Sequence, residues 1–169
     1  MAITIRKGTL ADTEDFIDLL ETVRQGMTHK EWFYLDPPEF VREQMKNGKM
    51  RLWVAVDEDQ IAGALDILIP EEAEYNYGYD LGFDMDSLLR VVNMDSAAVY
   101  PQYRGQGIQK RLLEMAEEEI RGMGNRILLC TVHPDNQFSL QNVLKQGYTI
   151  QKRMEKYGSV RYLLRKDLF

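Results

Sequence analysis

VYPQYRGQGIQKRLLEMAEEEI, residues 99–120, places two glycines and three cations where an apolar run gives way to a helix. From Ile108 the apolar positions are 108, 112, 113, 115, 116, 120 and 123, the broad stripe of a helix laid against a sheet. Gly105 and Gly107 stand before it with no Ser, Thr or Asp cap, so the first turn aims unpaired backbone N–H groups outward. Arg104, Lys110 and Arg111 then add positive charge at the helix end whose dipole favours acids. A bound anion on those amides resolves the conflict, and a pyrophosphate would reverse the sign of the electrostatic cost.

The spelling tests two familiar phosphate sites. A Walker loop needs G-x-x-x-x-G-K-[ST], and that string does not occur. A dinucleotide turn needs G-x-G-x-x-G, but Lys110 occupies the third glycine's place and RILLC, about 20 residues on, has no acid for a ribose.

Working outward, ITIRK at 3–7 alternates as a half-buried strand, and TLADTEDFIDLLETV offers Thr9 or Asp12 as caps for a helix with Phe16, Leu19, Leu20 and Val23 on one face. Residues 36–49 carry prolines at the start and Gly48 at the end, the asymmetry of a short helix. MRLWVAVDEDQIAGALDILIP reads as a hairpin turning at DED. Residues 71–90, with three tyrosines and six acids, read as a loop or short helix, either a solvated insertion or the cover of a pocket. VVNMDSAAV and RILLCTV are strands, helices are expected near 107–123 and 137–146, and the chain closes in a hairpin at Tyr157-Gly158-Ser159. Hairpins mixed with crossovers predict an α+β sheet that is mostly antiparallel with one parallel junction.

The chain of 169 residues carries no internal repeat, low-complexity tract or linker, so one domain over 1–169 is expected. A formal charge of −6, from 27 acids and 21 bases, argues against a nucleic-acid surface and suits small amine partners. One cysteine, Cys130, excludes a disulfide framework and a multi-cysteine zinc site, and points to a reducing cytoplasm. IAGALDILI is short and interrupted by Asp66, so no membrane span is expected.

Arg104-Gly105-Gln106-Gly107-Ile108-Gln109, preceded by the strand and linker AAVYPQY, resembles the GNAT superfamily of acetyl-CoA-dependent N-acetyltransferases, whose phrase typically runs V-x-P-x-x-R-G-x-G-I-G. Gln109 departs from the Gly or Ala usual there and adds a side chain close to the cofactor. TVHPDNQFSLQNVLKQGY is similar to the family's later segment through Asn136, Ser139, Gly147 and Tyr148. The likeness implies a mixed, mostly antiparallel sheet splayed in the middle and flanked by about four helices, with pantetheine entering the split. It implies backbone groups near Val99 on the pantetheine arm, amides from Arg104 to Gln109 on the pyrophosphate with Lys110 beside them, and Asn136 and Ser139 on the arm's other side. Acetyl-CoA is the implied co-substrate, with no metal.

Acyl transfer to an amine needs a neutral nucleophile, an oxyanion donor and a proton for the departing thiolate. The backbone N–H near Val99 suits the oxyanion. Asp95 shares its strand face with Ala97 and Val99 and reads either as the base or as an edge-strand acid. His133 has the right ordinary pKa, or simply shapes the HPDN turn. The tyrosine that many members carry in the helix after the Asn is replaced by Asn142-Val143, leaving Tyr148, Tyr157 or water as the acid, with Tyr157 also readable as a hairpin residue. Cys130, inside an apolar run, reads as an inert buried thiol. Asp80, Asp84 and Asp86 are candidate walls of an amine pocket. The expected function is transfer of acetyl from acetyl-CoA to a primary amine of a small molecule. A non-catalytic acetyl-CoA module and a peptide or protein N-acetyltransferase are the alternatives, with a homodimer through the closing hairpin as a possible assembly.

Overall fold

The computed structural model describes residues 2–169. Seven strands are hydrogen-bonded in the order β1-β2-β3-β4-β5-β7-β6, with five α-helices. The chain groups into two compact units. One runs to Lys30 and includes Leu35–Leu68 and Asp95–Glu119; the other comprises Glu31–Tyr34, Ile69–Met94 and Ile120–Phe169.

In the first unit, β1 (Thr4–Lys7), β2 (Met50–Asp57) and β3 (Gln60–Leu68) pair antiparallel, with Ile5 opposite Ala55 and Trp53 opposite Leu65. α1 (Thr13–Gln25) buries Phe16, Ile17, Leu19, Leu20 and Val23, the helical spacing seen in the sequence, and packs on β3. Of the two expected caps, Thr9 heads a 3-10 turn over Leu10–Asp12. Asp12 stands at the N-cap position of α1 with its carboxylate committed elsewhere, taking Arg6 at 2.8 and 2.9 Å and the Thr9 N–H at 2.8 Å. α2 (Pro38–Lys46) begins at its prolines and ends before Gly48, whose φ of 78° is the left-handed stop. α4 (Ile108–Arg121) is fixed toward its far end by Glu119, which accepts from Trp53 Nε1 at 2.8 Å, from Arg51 at 3.0 Å and from Lys7.

The second unit holds the start of β4 (Val91–Val99) with β5 (Arg126–Val132), β7 (Ser159–Leu168) and β6 (Thr149–Lys156). β4 and β5 form the parallel junction, pairing Val91, Val92 and Asn93 with Ile127, Leu128 and Leu129, and this ladder stops short of the ends of both strands. β5–β7 and β6–β7 are antiparallel. The closing hairpin turns at Tyr157 (φ 58°) and Gly158 (φ 77°), two consecutive left-handed residues whose twist matches that of the strands.

Residues 71–90 depart from a solvated insertion. They form a 3-10 turn over Tyr77–Leu81 and a short α3 (Met85–Leu88), and they supply core. Tyr77 and Leu88 are buried, and Leu81 and Phe83 pack against the cluster of Tyr77, Val91, Ile127, Leu129 and Leu163. The organiser is Asn76, 1% exposed: its Nδ2 donates to the carbonyls of Glu71 (2.8 Å) and Leu88 (3.0 Å), and its Oδ1 accepts from Gly78 N–H (2.7 Å). The segment's acids are also used locally. Asp80 pairs with Lys156 at 2.9 Å, and Asp84 caps α3 through the Ser87 N–H at 2.9 Å. α5 (Gln137–Lys145) completes the unit, so the fifth helix beyond the expected four is α3.

Asn76→Ala leaves two backbone carbonyls and one N–H without their partner, so it should lower stability by about 2–4 kcal/mol, read as a reduced urea midpoint at unchanged slope.

Candidate functional site

The glycine turn is held from both sides within the first unit. Past Val99, the Tyr100 N–H donates to the Ala62 carbonyl on β3 (2.9 Å), and Pro101–Tyr103 makes one 3-10 turn. Tyr103 anchors it by donating its hydroxyl to Asp57 Oδ2 at 2.7 Å. The backbone then passes through the left-handed region at Gly105 (φ 81°) and Gly107 (φ 70°), where a side chain would be strained. A Cβ built on either glycine meets nothing within 4 Å, so the turn's outer surface is open.

α4 starts at once, with the Arg111 N–H donating to the Gly107 carbonyl at 3.1 Å. By helix geometry the N–H groups of Ile108, Gln109 and Lys110 precede the first such bond and have no intrahelical acceptor. Ile108 is buried and holds this end of the helix down, whereas Arg104, Gly105, Gln106, Gly107 and Lys110 are exposed. Gly63, which sequence reasoning passed over, makes the approach possible: a Cβ there would stand 2.9 Å from the Ala98 carbonyl oxygen, 3.1 Å from Val99 and 3.3 Å from Ile108. The only advance signal was a glycine inside a strand.

The three cations separate. Arg111 is directed away, donating from Nη2 to the Ile3 carbonyl at 3.1 Å. Lys110 lies 3.9 Å from Glu114 with both groups well exposed, an arrangement that holds the ammonium loosely. Arg104 stays beside the turn by its place in the sequence.

Asp95 stands four residues before Val99. The carboxyls of Asp66, on β3, and Asp36, in the segment leading into α2, act on its ionisation. Asp66 is fully buried. Both of its carboxyl oxygens, and Oδ2 of Asp95, are buried without a hydrogen-bond partner. Burial, and then the neighbouring negative charges, push both Asp66 and Asp95 well above the usual carboxylate range. Sequence reasoning used Asp66 only as an interruption of an apolar run and did not single out Asp36.

The remaining candidates belong to the second unit. His133 Nδ1 accepts the Asp135 N–H at 3.1 Å, which leaves the proton of a neutral ring on Nε2, and the ring lies 6.0 Å from that of Trp32. Asn136 caps α5 by accepting the Ser139 N–H at 3.4 Å, and Ser139 is half-buried. The Tyr157 hydroxyl is 2.8 Å from that of Tyr77, its ring stacks on Tyr34 at 3.8 Å and 5°, and the Lys156 ammonium lies over both Tyr77 and Tyr157. Tyr148 is buried beside Gly147 (φ 97°). Cys130 is buried and its thiol is pushed up to about 12 by desolvation, the state of an unreactive core residue.

The acetyltransferase (GNAT) family matches residues 15–148. The chain belongs to this family. The GNAT chain is an acetyltransferase, and its fold recurs in solved structures. A GNAT acetyltransferase from Streptococcus pneumoniae is 20% identical, with 99% of this chain and 100% of that chain covered at a TM-score of 0.75. A putative acetyltransferase, yncA, from Salmonella typhimurium, solved with its cofactor acetyl-CoA, is 16% identical over 100% and 95% of the two chains at 0.74. A ribosomal-protein-alanine N-acetyltransferase from Brucella melitensis is 21% identical over 98% and 99% at 0.72. Comparison with curated protein sequences returns no match. Among the described residues no helix is long and apolar enough to cross a membrane.

The raised carboxyls fix the sign of a pH effect. Because the folded values of Asp66 and Asp95 are raised above the unfolded ones near ~4, their contribution to stability is full in acid and is lost as pH rises through the folded values. Asp66→Asn removes one like charge and should lose less stability than wild type from about pH 5 to 8, each kcal/mol appearing as about 3 °C in Tm. Calorimetry at the two pH values reads the difference, and a variant that declines in parallel with wild type contradicts the raised pair.

Proposed function

We propose that the protein transfers the acetyl group of acetyl-CoA to a primary amine of a small molecule by direct attack through a tetrahedral intermediate. The observation that carries this reading is the open left-handed turn at Gly105 and Gly107 running into the uncapped start of α4. A diphosphate fits there: amides between Gly105 and Lys110 donate to its oxygens, the helix dipole favours its charge, and Arg104 and Lys110 stand nearby. Any side chain at either glycine would occupy the space left open for it. The acetyl-CoA bound to the Salmonella relative supports acetyl-CoA as the co-substrate.

Val99, at the end of β4, is proposed to direct backbone polar groups at the acyl end, where an N–H steadies the developing oxyanion. Asp95 is the proposed base, because it lies on the same strand as Val99 and is short of donors, whereas the Nδ1 lone pair of His133 is already engaged by the Asp135 N–H. A thiolate with an ordinary pKa near ~8.5 leaves with little acid assistance, so Tyr157, tied to Tyr77 and stacked on Tyr34, is assigned no obligatory proton. Acetyl-CoA, when bound, supplies the activated thioester. The chain's part is to hold its charged end, polarise its carbonyl and take a proton from the amine.

A peptide N-terminus is the competing acceptor, raised by the name of the Brucella relative. The test is release of free CoA thiol from acetyl-CoA with a panel of small amines set against peptides. Amine-dependent release supports the small-molecule reading, release only with peptides replaces it, and thermal stabilisation by CoA without release reduces the protein to a binding module. Gly107→Val should weaken CoA binding about tenfold or more, since it strains the turn and fills the open surface, at a stability cost of about 1–2 kcal/mol. Wild-type affinity for CoA in that variant, measured by calorimetry, removes the pyrophosphate from this turn.

A further inference from the structure

The glycine turn proposed to carry the diphosphate is mounted at two points on one hairpin of the first unit. β2 and β3 pair Ala55 with Gly63 and Val56 with Ile61, so Ala62 stands between them with no partner on β2. This is a bulge, one extra residue on one strand, and such an insertion re-aims the groups beside it. Ala62 is buried, and its carbonyl accepts the Tyr100 N–H at 2.9 Å. Where β2 ends, Asp57 Oδ2 accepts the Tyr103 hydroxyl at 2.7 Å. Tyr100 and Tyr103 bracket the short 3-10 turn, and Arg104 and Gly105 follow directly.

Asp57 is 8% exposed, and its Oδ1 is buried without a hydrogen-bond partner. A carboxyl enclosed with so few donors costs stability that a neutral residue at the end of a hairpin strand would not. What it provides is a strong acceptor, since a hydroxyl bonds a carboxylate more firmly than a neutral oxygen. That bond is the largest influence raising the Tyr103 hydroxyl above its usual range, so the phenol stays a donor. A local cost kept beside a working site is the pattern of a residue held for function.

Glycine gives the turn its shape and also its looseness. Gly105 and Gly107 can leave the left-handed region without steric penalty. A turn that samples other shapes binds in proportion to the fraction of time spent in the competent one. Tyr103, fixed just before Arg104, removes freedom at the entry, and buried Ile108 removes it at the exit.

We infer that Asp57 and Tyr103 are positioning residues for coenzyme A: their bond, with the carbonyl of the bulged Ala62, holds the turn in the shape that receives the diphosphate. This rests on the acetyl-transfer reading above and adds that coenzyme affinity is set from the β2–β3 hairpin, separately from the acyl-transfer step.

A cycle of variants tests it, read by calorimetry with CoA and, where an amine gives thiol release, by kinetics with acetyl-CoA. Tyr103→Phe, which deletes one oxygen, should weaken CoA binding about fivefold or more and raise KM for acetyl-CoA to match, with kcat within about twofold of wild type. Asp57→Ala should lose as much and the double variant no more than either single, while Asp57→Asn, which keeps an acceptor oxygen, should fall between. A merely structural bond would lower Tm and leave affinity below the melting range untouched. Wild-type CoA affinity in Tyr103→Phe, losses that add in the double variant, or a fall confined to kcat overturns the inference and leaves acetyl transfer standing. If Asp57→Ala does not fold, Asp57→Asn closes the cycle: its effect must vanish in the Tyr103→Phe background, and an effect that persists there overturns the pairing. Failure of the wild-type protein to bind CoA overturns both, and is read before any variant is made.

Discussion

Everything in the first unit that bears on function depends on how backbone N–H groups are left at one point in the chain. An α-helix strands its first donors wherever it starts. Here the usual side-chain remedy is missing, because two glycines in left-handed conformations lead straight into Ile108. The turn is nonetheless firmly placed. Tyr103 on Asp57, the Tyr100 N–H on the Ala62 carbonyl, buried Ile108 and the absent side chain of Gly63 each fix one edge of it. Its donors are thus organised before any partner arrives, which is the arrangement that favours tight recognition of an anion at little ordering cost.

The electrostatics around this turn are local. Counting charges along the sequence suggests a cluster of three, yet Arg111 is spent on a neighbouring carbonyl and Lys110 is shared with Glu114. Under the proposed reading, discrimination in favour of an anion would reside mainly in the amides, with Arg104 and Lys110 as additions. The opposite sign gathers on the same unit at Asp66 and Asp95, where desolvation is the largest influence on ionisation. One unit thus presents uncapped amides at the turn and, at Asp66 and Asp95, a sheltered place where negative charge is costly.

The legible parts of the fold were those set by local rules. Helical spacing placed α1 and α4, prolines and Gly48 bounded α2, and the need for positive φ located both the glycine turn and the closing hairpin at Tyr157-Gly158. What escaped depends on contacts distant in sequence. Nothing in EEAEYNYGYDLGF announces that Asn76 will reach a carbonyl twelve residues on, or that Tyr77 will enter the core, so the segment read as a solvated insertion or a pocket cover and not as core. Asp66 interrupts an apolar strand, and only the adjacency of β3 and β4 in the sheet brings Asp95 to act on it. His133 was recognised for its chemistry, whereas its Nδ1 bond to Asp135 is a matter of turn geometry.

The lone sulfhydryl of the chain has a practical corollary. Cys130 lies in the core with its ionisation driven to about 12, so at neutral pH scarcely any of it exists as thiolate. Disulfide reagents that colour on reaction with free mercaptans will find nothing on the folded polypeptide to attack. A chromogenic signal from such a reagent therefore counts liberated coenzyme alone, and a slow drift in an enzyme-only blank becomes a sensitive gauge of unfolding.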